Sequence, residues 1–114
     1  MKVKNLIGLI VSVPIILSPF SIAQAKGDAG KGKAVFATNC ASCHGAKGAG
    51  DGVAAASLNP KPANFTKGKF KYGSDDASLK KTIKNGKGPM PPWGAVLSDK
   101  DIDNVIAHIR TLKK

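Results

Sequence analysis

Apolar residues are distributed along this chain in two distinct ways, as one unbroken run near the start and as helical stripes further on. Leu6 to Leu17 is almost wholly apolar, with Lys2 and Lys4 before it and Ala23-Gln24-Ala25 after it. At the other end Ile102, Val105, Ile106, Ile109 and Leu112 recur at spacings of three and four, one face of a helix. Ser98 suits its N-cap, Asp99 and Asp101 its positive end, Lys113 and Lys114 its negative end. A second helix is expected over Asp28–Asn39, with Ala34, Val35 and Phe36 apolar and Asp28 at its start. A third follows Ser74-Asp75-Asp76, carries Leu79 and Ile83, and ends at Gly86. The segments between them resist regular structure. Glycines at 45, 48, 50 and 52 mark a turn-rich loop, and Asn59-Pro60-Lys61-Pro62 favours extended backbone that wraps the domain. Gly88-Pro89-Met90-Pro91-Pro92-Trp93 holds three prolines and is expected as a stiff loop. No convincing strand alternation and no internal repeat is evident, so the fold class is all-α.

The opening run reads as an export signal: a positive start, an apolar middle and a small-x-small site that signal peptidase accepts before Lys26. Residues 1–25 are therefore expected to be a cleaved signal peptide and residues 26–114 the domain, with the periplasm as destination. The alternative is a retained membrane anchor, against which Pro14, Ser18 and Pro19 interrupt a run that needs about 20 mainly apolar residues to span. Loss of the leader leaves sixteen basic against seven acidic residues, a formal charge of +9, with Met90 as the sole methionine. A domain of 89 residues gains little from side-chain burial alone, and a bound cofactor would supply the missing core.

Cys40-Ala41-Ser42-Cys43-His44 has the C-x-x-C-H pattern of covalent haem attachment. The spacing lets two thiols reach the two vinyl groups of haem from one helical turn, and it carries His44 beneath the iron. The rival readings lack support. A thioredoxin-like site wants a βαβ context and a neighbouring aromatic or proline. A structural zinc site wants four ligands, whereas the domain offers two cysteines and two histidines in all. A plain Cys40–Cys43 disulfide is the third alternative. The glycine-rich stretch 45–52 is no phosphate cradle, because no Lys-Ser or Lys-Thr completes it. Met90 offers the thioether for the opposite side of the iron, where a soft sulfur favours the ferrous state, and the flanking prolines restrict its loop. The competing ligand, His108, is expected near the margin of the C-terminal apolar stripe.

These residues, in this order, resemble the class I c-type cytochromes over residues 28–114. The resemblance implies a small cytochrome c fold of three to four short helices wrapped around one covalent haem c, with iron bound by His44 and Met90. It implies that Gly32 and Phe36 lie where the first helix crosses the last closely. The family usually has an aromatic residue on the crossing face of the last helix, where this chain by the same resemblance offers His108. It further implies a proline carbonyl accepting a hydrogen bond from the axial histidine, with Pro60 and Pro62 both open. Trp93 resembles positions that pack near a haem propionate, and a loop-anchor role is equally open.

With both axial positions filled, no residue is expected to be catalytic, and the chain is expected to be a monomeric one-electron carrier. One alternative is a haem subunit of a larger membrane oxidase or dehydrogenase. Another is a ligand-sensing or peroxidatic protein with a displaceable Met90. Lys61, Lys67, Lys69, Lys71, Lys80, Lys81, Lys84 and Lys87 fall in segments expected near the haem, which points to acidic redox partners. Nucleic acid is not an expected partner, because export removes the chain from it.

Overall fold

A computed structural model describes residues 7–17 and 27–114. Lys2, Lys4 and the Ala23-Gln24-Ala25 site lie outside the described residues. Residues 7–17 carry no regular secondary structure and are exposed, Ile10 to 92%. Among the described residues no helix is long and apolar enough to cross a membrane.

Four α-helices form the domain: α1 (Ala29–Asn39), α2 (Ala41–His44), α3 (Asp76–Asn85) and α4 (Asp99–Thr111), with 3₁₀ turns at Ala55–Ser57 and Phe65–Lys67. Local chemistry accounts for their ends. The Asp28 carboxylate caps α1 by accepting from Lys31 N at 3.0 Å. Asp75 does the same for α3, accepting from Ser78 N at 3.1 Å. At α4, Ser98 Oγ accepts from Asp101 N while the Asp101 carboxylate accepts from Ser98 N, a reciprocal capping box at 3.1 and 3.2 Å. No strand occurs among the described residues, where an isolated bridge joins Lys87 and Met90.

The core is the crossing of α1 on α4. Gly32 and Phe36, four residues apart, are the buried members of α1. A Cβ on Gly32 would run into the Asn104 carbonyl and the Val105 nitrogen, so the absent side chain is what lets the two backbones meet. Around this contact Phe36, Ile102 and Val105 are at most 1% exposed. Each fully buried side chain of this kind contributes about 1.5–3 kcal/mol. Asn104 Oδ1 accepts from Asp28 N at 2.8 Å and ties the start of α1 to the middle of α4. The third helix joins through Leu79 and Ile83, and Lys80–Asp103 and Lys84–Asp99 ion pairs at 2.9 Å run along its outer edge. These pairs are partly solvated and add little individually.

His108 departs from its expected marginal position. It is 8% exposed, and its ring lies 5.1 Å from that of Phe36 at 60°. The reason is that α4 buries two stripes: the apolar one, and a second containing Asn104 and His108, four residues apart. His108 thus takes the aromatic place at the crossing.

Two expected outcomes follow. Gly32→Ala should destabilise the folded protein by about 2–3 kcal/mol, read as a shift in denaturant midpoint, because the helices must separate. Burial, then the nearby Lys33 charge, hold the His108 imidazole below its ordinary value of 6.5. Its contribution to stability is therefore full above pH 6.5 and falls as the pH drops toward the depressed native value. His108→Phe should flatten that acid limb, and an unchanged pH profile of stability would mean that His108 is not its source.

Candidate functional site

The C-x-x-C-H segment is a second helical turn set directly on the end of α1. Cys40 N donates to Phe36 O at 2.9 Å, closing α1, while Cys40 O accepts from His44 N at 2.9 Å and from Cys43 N at 3.2 Å, opening α2. One turn therefore brings both thiols and the imidazole to a shared cavity of about 460 Å³. The glycine loop after it closes the turn from below. Gly50 N donates to His44 O, Gly52 N to Cys43 O and Ala54 N to Ser42 O, at 2.7, 3.1 and 2.9 Å. Gly45, Gly48 and Gly50 adopt φ of 84°, 73° and 77°, the left-handed region that favours glycine. What looked only like a flexible loop is the support of the C-x-x-C-H turn.

His44 is held from its other side. Its Nδ1 lies 3.1 Å from Ala63 O, and a hydrogen bond there leaves Nε2 as the free donor atom of the ring. The acceptor is thus neither Pro60 nor Pro62. The Pro62 carbonyl is turned toward Gly50, where an added Cβ would meet it at 2.8 Å. Phe65 stacks on the imidazole with ring centroids 4.6 Å apart and planes at 21°. Burial lowers the His44 pKa from its ordinary value, partly offset by the bond to Ala63. Burial, then the neighbouring Cys43, push the Cys40 thiol up to about 11.

Met90 reaches the same cavity from the far end of the chain. It closes a tight turn, with Met90 N donating to Lys87 O at 2.6 Å and Lys87 N to Met90 O at 3.1 Å. The turn is fastened to the C-terminal carbonyls of α3, because Trp93 N donates to Ile83 O and Gly94 N to Lys84 O. Trp93 both anchors this loop and lines the cavity. The structure therefore brings Cys40, Cys43, His44 and Met90 to one space and leaves His108 against Phe36.

Haem fits this space on three counts. Two thiols and an imidazole share a turn on one wall, a thioether is on the lining, and the cavity falls in the range of about 300–1,000 Å³ usual for cofactor sites. The remaining lining includes Leu58, Phe65, Phe70, Leu79, Ile83 and Ile109, an apolar surround for a large flat group. Of the lysines expected nearby, Lys61, Lys69, Lys71 and Lys87 line the cavity. Lys80 and Lys84 instead turn to Asp99 and Asp103. Phe65 was not foreseen as a site residue, and its one sequence signal is its position six residues after the start of the Asn59-Pro60 segment.

A family model described as cytochrome C oxidase, cbb3-type, subunit III matches residues 27–109. The chain is 42% identical over 92 residues to the cbb3-type cytochrome c oxidase subunit FixP of Azorhizobium caulinodans, covering 77% of this chain and 29% of that one. It spans about a third of the length of such oxidase subunits. It is also 42% identical to cytochrome c-554(547) of Halothiobacillus neapolitanus over 91 residues, 76% of this chain and 99% of that protein. In structure it resembles cytochrome c6 of the diatom Phaeodactylum tricornutum with a TM-score of 0.59 at 30% identity, over 75% of this chain and 93% of the other.

Gly86 hinges the Met90 turn at φ 71° and ψ 166°, a region nearly confined to glycine, and an added Cβ would lie 2.7 Å from Met90 O. Gly86→Ala should cost about 1–3 kcal/mol in thermal or denaturant unfolding and displace Met90 from the cavity. Wild-type stability would show that the turn tolerates a different path.

Proposed function

The chain belongs to the cytochrome c oxidase, cbb3-type, subunit III family of c-type cytochromes, and from that membership we propose that it carries one electron at a time on a single haem c. The family implies covalent haem c with iron. A count of one rests on the presence of two cysteines in the whole sequence. The observation that carries the reading is the meeting of His44 and Met90, 46 positions apart in the sequence, on one cavity whose wall also holds Cys40 and Cys43.

Bound there, the haem supplies one iron that alternates between ferrous and ferric states. Cys40 and Cys43 would tether it through thioethers. His44, oriented by the Ala63 carbonyl and by Phe65, would offer Nε2 to the iron. Met90, on a turn that α3 keeps from swinging away, would offer a soft sulfur that favours the ferrous state. With His44 and Met90 both engaged, the iron would have no open position for a substrate, and the role would be transfer alone. Lys61, Lys69, Lys71 and Lys87 at the cavity rim favour encounter with an acidic redox partner. Residues 1–25 serve as the export leader that delivers a monomeric 26–114 domain to the periplasm.

A match covering 99% of cytochrome c-554(547) favours a free carrier. The match to FixP supports the second reading, a haem domain working within a membrane oxidase, and co-purification with a larger enzyme would select it.

The deciding experiment is an absorption spectrum of the purified protein, oxidised and reduced, with a denaturing gel stained for covalent haem. Haem retained on the gel and a sharp low-spin reduced spectrum are expected. Cys40→Ala and Cys43→Ala should each sharply lower the holoprotein yield, and normal yield from both would refute the attachment. Met90→Ala should lower the reduction potential or open the iron to added ligands. An unchanged potential and spectrum would reassign the sixth ligand.

A further inference from the structure

One wall of the cavity is held differently from the others. Lys69 to Gly73 are consecutive lining residues. Yet among the described residues, apart from a turn at 71–72, this segment has no regular secondary structure and no backbone bond ties it to another part of the domain. The hydrogen bond that reaches this strap from elsewhere comes from the last turn of α4, where Arg110 Nη2 donates to Ser74 O at 2.5 Å. The same guanidinium donates to Asp76 Oδ1 from Nε at 3.2 Å and from Nη2 at 2.7 Å, and its centre lies 5.5 Å from the Phe70 ring centroid. Phe70 in turn lies 5.8 Å from Phe65, the ring stacked on His44. At the other side the Lys87 ammonium lies 4.8 Å from the Tyr72 ring.

Arg110 and Asp76 are both partly exposed, and an ion pair there gives little by itself. The planar fork does more than pair. It engages a carboxylate and a carbonyl at once while its face covers an aromatic ring, a combination that a lysine ammonium does not reproduce. The strap thereby gains a fixed point on the most deeply packed helix of the domain.

We propose that Arg110 latches the 69–74 strap over the cavity and is a positioning residue that limits the access of water to the cofactor, an inference that rests on the haem reading above. Solvent exposure is one of the factors that set a haem potential, and water favours the more highly charged ferric state. Loosening the latch therefore lowers the reduction potential.

The test compares the holoprotein with Arg110→Lys and Asp76→Asn, reading limited cleavage by trypsin after Lys69 and Lys71 and the reduction potential. In both variants the cleavage rate at these two sites should rise roughly fivefold, the factor for an opening eased by about one weak interaction. Cleavage after Lys31 and Lys33 in α1 should stay as in wild type, and in Arg110→Lys the potential should fall. The charge is retained there, so lost cationic charge cannot be the cause. Unchanged cleavage after Lys69 and Lys71 in both variants, an equal rise along the whole chain, or a potential in Arg110→Lys that does not fall would overturn the proposal. If the wild-type protein holds no covalent haem, the functional reading fails and takes the solvent-access part with it, while the cleavage comparison still decides whether Arg110 latches the strap.

Discussion

The backbone contact between Gly32 and Asn104 is the constraint on which the rest of the domain depends. It sets the distance between α1 and α4, and α2 continues from the end of α1 through Cys40 with no linker. The position of both thiols and the imidazole is therefore inherited from the helix crossing. Phe36 makes the connection physical: it packs at the crossing against His108, meets Phe65 edge-on at 6.3 Å, and its carbonyl accepts from Cys40 N. A disturbance at the crossing reaches the site through one side chain.

The opposite wall has its own foundation. The Met90 turn is fixed to the end of α3, and α3 is fixed to α4 by Leu79, Ile83 and the lysine–aspartate pairs. Both sides of the cavity thus refer back to α4, one through α1 and the other through α3. A shared reference helix limits the freedom of the two walls to drift apart. The interior left between them is lined by apolar side chains from α3, α4 and the loops, among them Leu58, Phe65, Phe70, Leu79, Ile83 and Ile109, so a large apolar cofactor would complete a core that so small a domain supplies only in part.

Charge is arranged by the same geometry. Asp28, Asp75 and Asp101 cap helices, and Asp76, Asp99 and Asp103 pair with Arg110, Lys80 and Lys84. The lysines at the cavity mouth have no such counterpart on its lining, where no acidic residue occurs. The surplus of basic residues thereby becomes a local cationic rim, which matters more for encounter with a partner than net charge does.

What the sequence determined by itself was everything governed by residues within about one helical turn of each other. The helix caps, the stripes of α3 and α4, the C-x-x-C-H turn and the proline-bound Met90 loop are of this kind, and each is where the spacing placed it. The membership of the chain in a c-type cytochrome family was legible for the same reason, since its motif is five consecutive residues. The tertiary structure alone decided the pairings across long separations. Ala63 displaces the two prolines as partner of His44, Phe65 stacks on that ring, and Lys80 and Lys84 are drawn from the rim to α4. None of these follows from spacing, because each depends on which faces meet when loops of different length close, and a change of one residue in register exchanges one carbonyl or ring for its neighbour.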